Sequence, residues 1–318
     1  MKYIGLQAQI RKNNLKSVML LIAFPALLLG LVWLFFLITN SSYSSSSFPN
    51  NLNYVNQEFI QTIPFVSIGV SIWFIIAWFS HSSMIQRATG SKPLIRKDNK
   101  RVYNLLENLC ISRGLKTPKI FIIEDDSLNA FASGLSDKTF AISLSRGIIN
   151  KLNDDELEGV IAHELTHIIN RDVRLLIVSI IFVGIFSFIS EMAFRSLLYG
   201  GRRRSKNDKG NAFIVVVLVL AIAGLVLSTL FRFALSRKRE FLADAGAVAL
   251  TKNPLALAGA LKKVSNDPHI EAIKREDVAQ LFIEHPMHKK KSSIAKFFGG
   301  LFATHPPIED RITILEQI

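Results

Sequence analysis

Four long stretches of the chain consist of apolar and small polar residues without a charged side chain. They cover residues 17–39, 59–80, 175–190 and 212–231. Because a helix rises about 1.5 Å per residue, the first two stretches are long enough to cross a hydrocarbon core of roughly 30 Å. The third is shorter and ends before Glu191, so it spans only marginally. The pattern predicts a mainly α, multi-pass helical membrane protein.

Shorter patterns between these stretches are typical of a folded domain. Residues 119–125 and 138–144 are rich in β-branched and aromatic residues, which predicts two short strands with a turn near Gly134. Residues 153–170 predict a helix, because Asn153 is a favourable N-cap and the acidic first turn suits the positive end of the helix dipole. A small β-hairpin or sheet beside helices indicates an α+β domain.

The distribution of Lys and Arg predicts how the chain crosses the membrane. Basic residues precede the first stretch, whereas the loop 41–58 has none, so the N-terminus is expected in the cytoplasm. The second stretch returns the chain to that side. The link between the third and fourth stretches is strongly basic. These two stretches either cross against the charge rule or form a hydrophobic hairpin that packs on the domain or dips into the bilayer.

This topology divides the chain into four parts. Residues 1–80 form an N-terminal anchor with two transmembrane helices, and residues 173–231 form the hydrophobic helical hairpin. The hairpin makes an even number of crossings, so residues 81–172 and 232–318 are expected on the same, cytoplasmic side. The predicted location is the plasma (inner) membrane, with the lipid bilayer as a partner.

Composition narrows the class of protein further. The chain is 49% hydrophobic, its mean hydropathy is +0.31 and its net charge is +13. Basic residues beside membrane spans explain that charge, so no nucleic-acid partner is expected. The first stretch is too long for a signal peptide and lacks a small-residue cleavage site, which indicates an uncleaved anchor. The single Cys110 excludes an intramolecular disulfide and is expected to be an inert thiol in a reducing compartment.

The helix predicted at 153–170 carries a cluster of ionisable side chains. His163 and His167 are four residues apart, so both imidazoles project from one helical face and can bind one metal ion. Glu164 follows the first histidine, where its carboxylate can act as a general base near the metal. The alternative is a pair of capped or buried histidines without a metal.

A catalytic zinc ion has three protein ligands and keeps a further position open, so one more ligand is required. Glu240 and Asp244 lie one turn apart among small and apolar residues, where burial of two carboxylates is costly without a cation. We expect Glu240 to be the third ligand and Asp244 to orient a ligand imidazole. The alternative is that Glu240 pairs with Arg237 or Arg239 on a solvated face.

Three motifs in order resemble a known family. HELTH at 163–167, the S-R-x-x-E-x-x-A-D pattern at 236–244 and THPPIEDR at 304–311 are similar to those of the HtpX-type membrane zinc metalloproteases, relatives of the CAAX prenyl endopeptidases. The resemblance extends over nearly the whole chain. It implies that 81–172 and 232–318 together form a zincin-like catalytic domain with one bound Zn²⁺.

The resemblance also implies roles for single residues. The zinc ligands are His163, His167 and Glu240, with Glu164 as general base. Asp172 and Asp244 are implied as structural carboxylates around the site.

Two further segments are candidates for contacts with a substrate. An extended peptide is held most simply along a sheet edge, and the stretch 128–134 lies beside a predicted strand. In the family this stretch follows the substrate cleft, so Asn129, Ala130 and Phe131 are expected to contact the peptide. The alternative is an ordinary edge strand.

The motif at 304–311 offers two donors for the oxyanion formed at the scissile carbonyl. His305 is a catalytic candidate, and Arg311 is a second, for a role worth roughly 2.7–4 kcal/mol. Alternatively both are structural, with Arg311 neutralising Asp244 or Glu309. His285 also precedes a proline and competes with His305 for that role.

The predicted function is that of a membrane-bound, zinc-dependent endopeptidase. By resemblance, its substrates are misfolded or damaged membrane proteins cleaved at the cytoplasmic face, as part of membrane protein quality control. One alternative is a non-catalytic, zinc-stabilised binding or chaperone scaffold, which would not need Glu164. A transporter is a weaker alternative, because the apolar stretches contain few polar and no charged residues.

Overall fold

A computed structural model describes residues 6–41, 48–199, 217–225, 237–267, 269–270, 281–283 and 306–318. Within them the chain divides into two compact units. One is built from the described parts of 1–16, 80–177 and 232–318, and the other from those of 17–79 and 178–231. The four-part division made from the sequence stays a prediction.

Among the described residues, three long helices are apolar enough to cross a membrane. They are α1 (Leu6–Ser41), α2 (Phe48–Thr89) and α6 (Asp172–Tyr199), and their candidate spans are Asn13–Thr39, Leu52–Thr89 and Asp172–Met192. Residues 217–225 are also helical, and the rest of the fourth apolar stretch lies outside the described residues. The predicted multi-pass, mainly α class is confirmed.

The third apolar stretch is longer as a helix than its uncharged core indicates. Its candidate span covers 21 residues, beginning at Asp172 and continuing past Glu191. A charged residue near the end of a span, such as Glu191, can extend towards the polar interface, so an uncharged stretch understates the length of the helix. The expectation of a marginal span is therefore corrected to a full-length candidate.

Aromatic rings pack together in the unit that contains most of the apolar helices. The ring of Phe182 stacks on Phe24 at a centroid distance of 4.6 Å and lies 5.7 Å from Phe74. At Gly224 a β-carbon would lie 2.4 Å from the ring of Phe186, so only glycine fits that approach. These contacts tie the helical segments of this unit to one another.

The other unit contains a four-stranded mixed sheet. Its strands are β1 (Lys92–Pro93), β2 (Lys119–Ile123), β3 (Ala130–Ser133) and β4 (Ala141–Ser145), in the order β1-β2-β4-β3. Strands β2 and β4 pair in parallel, and the other neighbours are antiparallel. The two predicted strands are present, but the turn near Gly134 joins β3 to β4. Gly134 has a φ of 114°, which favours glycine.

In the described part of this unit, six helices accompany the ends of α1, α2 and α6. They are α3 (Lys100–Ser112), α4 (Arg146–Lys151), α5 (Asp154–Ile169), α7 (Arg237–Thr251), α8 (Pro254–Asn266) and α9 (Ile308–Glu316). The predicted start of α5 is confirmed. Asn153 caps the backbone N–H of Glu156, and the Glu156 side chain accepts from the Asn153 backbone, which satisfies two N–H groups at the helix end.

Helix α5 lies at the centre of this unit, and most of its side chains after the first turn are buried. It contacts α3, α7, α8 and the strands β3 and β4. Small residues permit the close approach of α7, since a β-carbon at Gly246 would lie 2.3 Å from the Cγ2 atom of Thr166. His163 and Glu164 are therefore held inside a packed core.

Candidate active site and metal centre

Three potential metal ligands converge between α5 and α7. The Nε2 atoms of His163 and His167 lie 3.2 Å apart. Glu240 places one carboxylate oxygen 3.6 Å from Nε2 of His163 and the other 3.7 Å from Nε2 of His167. Glu240 is 5% exposed, which contradicts the alternative of a solvated face.

The spacing of these atoms fits a tetrahedral metal ion. With bonds of about 2.0–2.1 Å, a tetrahedral zinc ion separates its ligand atoms by roughly 3.3–3.4 Å. The two Nε2 atoms lie 3.2 Å apart, close to that value, and one ligand atom from each of the three residues lies within 4.8 Å of the other two. A buried set of two imidazoles and one carboxylate is also the donor chemistry that zinc prefers. The residues present therefore fit the metal that the motif predicts.

A carboxylate faces the outer nitrogen of each imidazole. Oδ1 of Asp244 lies 2.9 Å from Nδ1 of His163, and Oδ2 of Asp172 lies 3.3 Å from Nδ1 of His167. A carboxylate can only accept from a neutral imidazole, so each pair favours the tautomer with the proton on Nδ1. Both Nε2 lone pairs are then directed at the metal position.

Burial and charge act against each other on the pKa values of the two histidines. Burial lowers the pKa of His163, but the hydrogen bonds that its imidazole donates to Asp244 and Glu240 outweigh this effect and the pKa is raised. Burial also lowers the pKa of His167, whereas Glu240 and Asp172 raise it to about 10. A metal ion has to displace these protons, so metal binding is expected to weaken as the pH falls.

Arg311 is a buried cation that pairs with Asp244. It is 1% exposed and donates from Nε to Oδ2 of Asp244 at 2.8 Å and from Nη2 to Oδ1 at 2.7 Å. Burial raises the pKa of Asp244, but Arg311 and His163 lower it to about 2. Of the two predicted roles, this geometry matches the structural one, since the guanidinium is committed to Asp244.

Glu164 is buried within the same core at 2% exposure. Burial raises the pKa of its carboxyl, while the two histidines and a hydrogen bond from the backbone N–H of Ala132 lower it, and the net direction is upward. A carboxylate with a raised pKa accepts a proton more readily, which suits a general base.

The edge of β3 is in contact with a later segment of the chain. Asn129, Ala130 and Phe131 are fully buried, and the backbone N–H of Ile283 donates to the carbonyl of Ala130 at 2.8 Å. The ring of Phe282 also packs on Phe131 at a centroid distance of 4.7 Å. A segment from later in the chain therefore pairs with this edge, and the predicted substrate contacts at 129–131 stay a prediction. Ala132 is the next position whose N–H faces the site.

One residue near the site gave no signal in the sequence. Asn13 hydrogen-bonds to Asp172 and to the carbonyl of Asn170. It lies far from the motifs in the chain, and an asparagine beside an apolar stretch is ordinary. His305 and His285 lie outside the described residues, so their predicted roles are not tested.

Comparisons with known proteins agree with the geometry. Residues 96–318 match the model of peptidase family M48. The chain is 59% identical to the protease HtpX homolog of Bacteroides fragilis strain YCH46, with 100% of both chains covered. It is 38% identical to the protease HtpX homolog of Lactobacillus helveticus strain DPC 4571, over 79% of this chain and 84% of that protein. The crystal structure of S. mikatae Ste24p matches with a TM-score of 0.42 and 19% identity, covering 97% of this chain and 66% of that chain.

Proposed function

Since the chain belongs to peptidase family M48 and is a multi-pass membrane metallopeptidase of the HtpX type, we propose that it is a zinc endopeptidase acting on misfolded or damaged membrane proteins at the cytoplasmic face. One observation carries the proposal. His163, His167 and Glu240 converge at metal-ligand spacing, with Glu164 buried next to the first ligand.

The proposed chemistry assigns one task to each group. Bound zinc would supply Lewis-acid polarisation of a peptide carbonyl and lower the pKa of a nearby water. Glu164 accepts a proton from the attacking water at its carboxylate and delivers that proton to the leaving nitrogen. Asp172 and Asp244 hold the imidazoles in the tautomer that presents Nε2. Arg311 holds Asp244 ionised and in place.

The contact with substrate is proposed at the part of β3 nearest Glu164. The backbone N–H of Ala132 points towards the Glu164 carboxylate, whereas the carbonyl of Ala130 is already bonded to Ile283. A peptide backbone that reaches Glu164 therefore has to compete with the Glu164 carboxylate for the Ala132 N–H. The predicted contacts at Asn129, Ala130 and Phe131 require the segment 281–283 to move away first.

The proposed substrate class is supported by the direct connection of the site to a candidate membrane span. Asp172, which faces His167, is also the first residue of a candidate membrane span. Cleavage there favours chains that lie at the membrane surface over chains that diffuse in bulk solution. The family relatives are named proteases, and that name is consistent with peptide substrates.

A metal-removal experiment tests this function. We expect the purified full-length chain in proteoliposomes to cleave a destabilised membrane protein within its cytoplasmic segments. A chelator should stop cleavage and added Zn²⁺ should restore it, because the ligand set matches zinc. The cut sites are read by mass spectrometry, and the folded form of the same substrate is the control. Cleavage that persists in excess chelator would rule out a metallopeptidase mechanism.

Cysteine labelling tests the face of the membrane. Ser112 is exposed on α3, so a Ser112→Cys variant is expected to resist a membrane-impermeant maleimide in intact cells and to react after lysis. Ser45→Cys, in the loop that lacks basic residues, is the opposite control and should react from outside. The native Cys110 should not react with the maleimide, because it is buried and burial raises its pKa to about 11. Labelling of Ser112→Cys from outside would place the active site on the other face.

A further inference from the structure

A buried asparagine from the beginning of the chain reaches the surroundings of the metal centre. Asn13 is the first residue of the first candidate span and is 1% exposed. Its side-chain amide donates to Oδ1 of Asp172 at 2.7 Å and to the backbone carbonyl of Asn170 at 2.8 Å. A buried amide that donates to a carboxylate makes a charge-assisted hydrogen bond, stronger than a bond between neutral groups.

Asp172 is shared between this asparagine and a metal ligand. Its Oδ1 accepts from Asn13, and its Oδ2 lies 3.3 Å from Nδ1 of His167. Because a carboxylate is planar, fixing one oxygen also restricts the direction of the other. Asn13 therefore controls how Asp172 presents its second oxygen to the imidazole.

The turn that joins the metal-binding helix to the next span needs such a support. Asn170 is the C-cap of α5, and the last carbonyls of a helix lack partners within the helix. Arg171 follows with a φ of 61°, a conformation that costs energy in a residue other than glycine. Its guanidinium is held by Asp137 at 2.9 Å, and Asn13 holds the Asn170 carbonyl.

We propose that Asn13 is a positioning residue for the metal ligand His167 and acts through Asp172. The first apolar helix thereby contributes a side chain to the metal centre, in addition to anchoring the chain. The proposal rests on the proposed function in one respect, which is the role of Asp172 in orienting His167. It predicts that a change in residue 13 alters metal affinity without touching a ligand.

The test is a double-mutant cycle read by zinc affinity. Full-length wild type, Asn13→Ala, Asp172→Ala and the double variant are titrated with a competing zinc chelator in detergent. Loss of a group that orients a ligand typically weakens metal binding by about 10–100-fold. We expect Asp172→Ala to fall in that range and Asn13→Ala to weaken binding by roughly tenfold, its lower end. In the Asp172→Ala background, Asn13→Ala should have no further effect, because the two act in series.

Two further variants separate positioning from folding. Asn14→Ala removes the neighbouring amide, which makes neither hydrogen bond to 170 or 172, and should leave zinc affinity unchanged. Asn13→Asp keeps the size of the side chain but replaces the N–H donor with a like charge, so it should weaken zinc binding more than Asn13→Ala. If Asn13→Ala instead has the same effect in both backgrounds, or none in either, the proposal is overturned.

The outcomes also separate this proposal from the proposed function. Zinc affinity is measured without cleavage, so an inactive chain can still confirm the role of Asn13. Unchanged zinc affinity in Asp172→Ala would overturn the role of Asp172 and, with it, that of Asn13. If Asp172→Ala binds zinc more weakly but Asn13→Ala binds it as tightly as wild type, only the role of Asn13 is overturned and the catalytic assignment stays intact.

Discussion

Glu164→Gln is expected to abolish proteolysis while the chain retains its metal. The amide has nearly the shape of the carboxylate but cannot accept a proton from water. General-base catalysis contributes about 10²–10⁴-fold, so the rate of peptide cleavage should fall by at least that range. His163, His167 and Glu240 are untouched, so metal content should stay near that of wild type. Cleavage rate and metal content are measured on the same preparation.

A matched control lies on the same helix. Glu158 is partly exposed and lies nine residues before the second histidine, and Glu158→Gln should change neither rate nor metal content. Since Glu164 is 2% exposed, removal of its charge is not expected to unfold the core. A Glu164→Gln chain that still cleaves at the wild-type rate would refute the general-base assignment and leave the metal site standing.

Glu240→Ala is expected to lose the metal itself. It removes one of three converging ligands and leaves two imidazoles, whose Nε2 atoms lie 3.2 Å apart, to hold the ion alone. Metal content after dialysis should fall towards zero, and proteolysis should fall with it. Inductively coupled plasma mass spectrometry and a cleavage assay read the two effects. Metal binding stabilises the folded chain, so the melting temperature of the variant should also stop responding to added Zn²⁺.

An exposed carboxylate provides the comparison for this variant. Glu309 lies on α9 and is exposed, so Glu309→Ala should keep its metal and its activity. The Glu240→Ala chain also requires a folding control, because it leaves Arg311, 3.7 Å from the carboxylate, with one fewer counter-charge. A far-ultraviolet circular dichroism spectrum like that of wild type supplies it. Full metal occupancy in Glu240→Ala would remove Glu240 from the ligand set.

Local patterns were sufficient for the helices and part of the sheet. The capping residue Asn153 and the acidic turn after it predicted the start of α5, because a helix end is decided by a few neighbouring residues. The pairing of the strands was not predictable in the same way. Strand β2 pairs in parallel with β4, and β3 lies at the opposite edge from β1. Hydrogen bonds between strands distant in sequence leave no periodic signal within either strand.

The candidate site was also predictable only in part, where its residues are close together in the sequence. The two histidines and Glu164 were predictable because one helical turn already brings them together. Glu240 and Asp244 were predictable for two reasons only. Burial of two carboxylates among apolar residues is costly without a cation, and the motif resembles that of known proteases. The sequence did not predict that the edge at Ala130 is occupied or that Asn13 makes its hydrogen bonds. The partner of Ala130 lies about 153 positions away, and those of Asn13 lie 157 or more positions away, and no shared motif links them.

By itself the sequence determined the membrane helices, the metal-binding helix and the chemical types of the ligands, since each depends on periodicity or on spacing within a few turns. Only the tertiary structure decided which oxygen faces which nitrogen. It also decided that Arg311 serves Asp244 and that Ile283 closes part of the edge of β3. The physical reason is that hydrogen bonds and ion pairs depend on distances of a few tenths of an ångström, which are set by the packing of whole helices and strands.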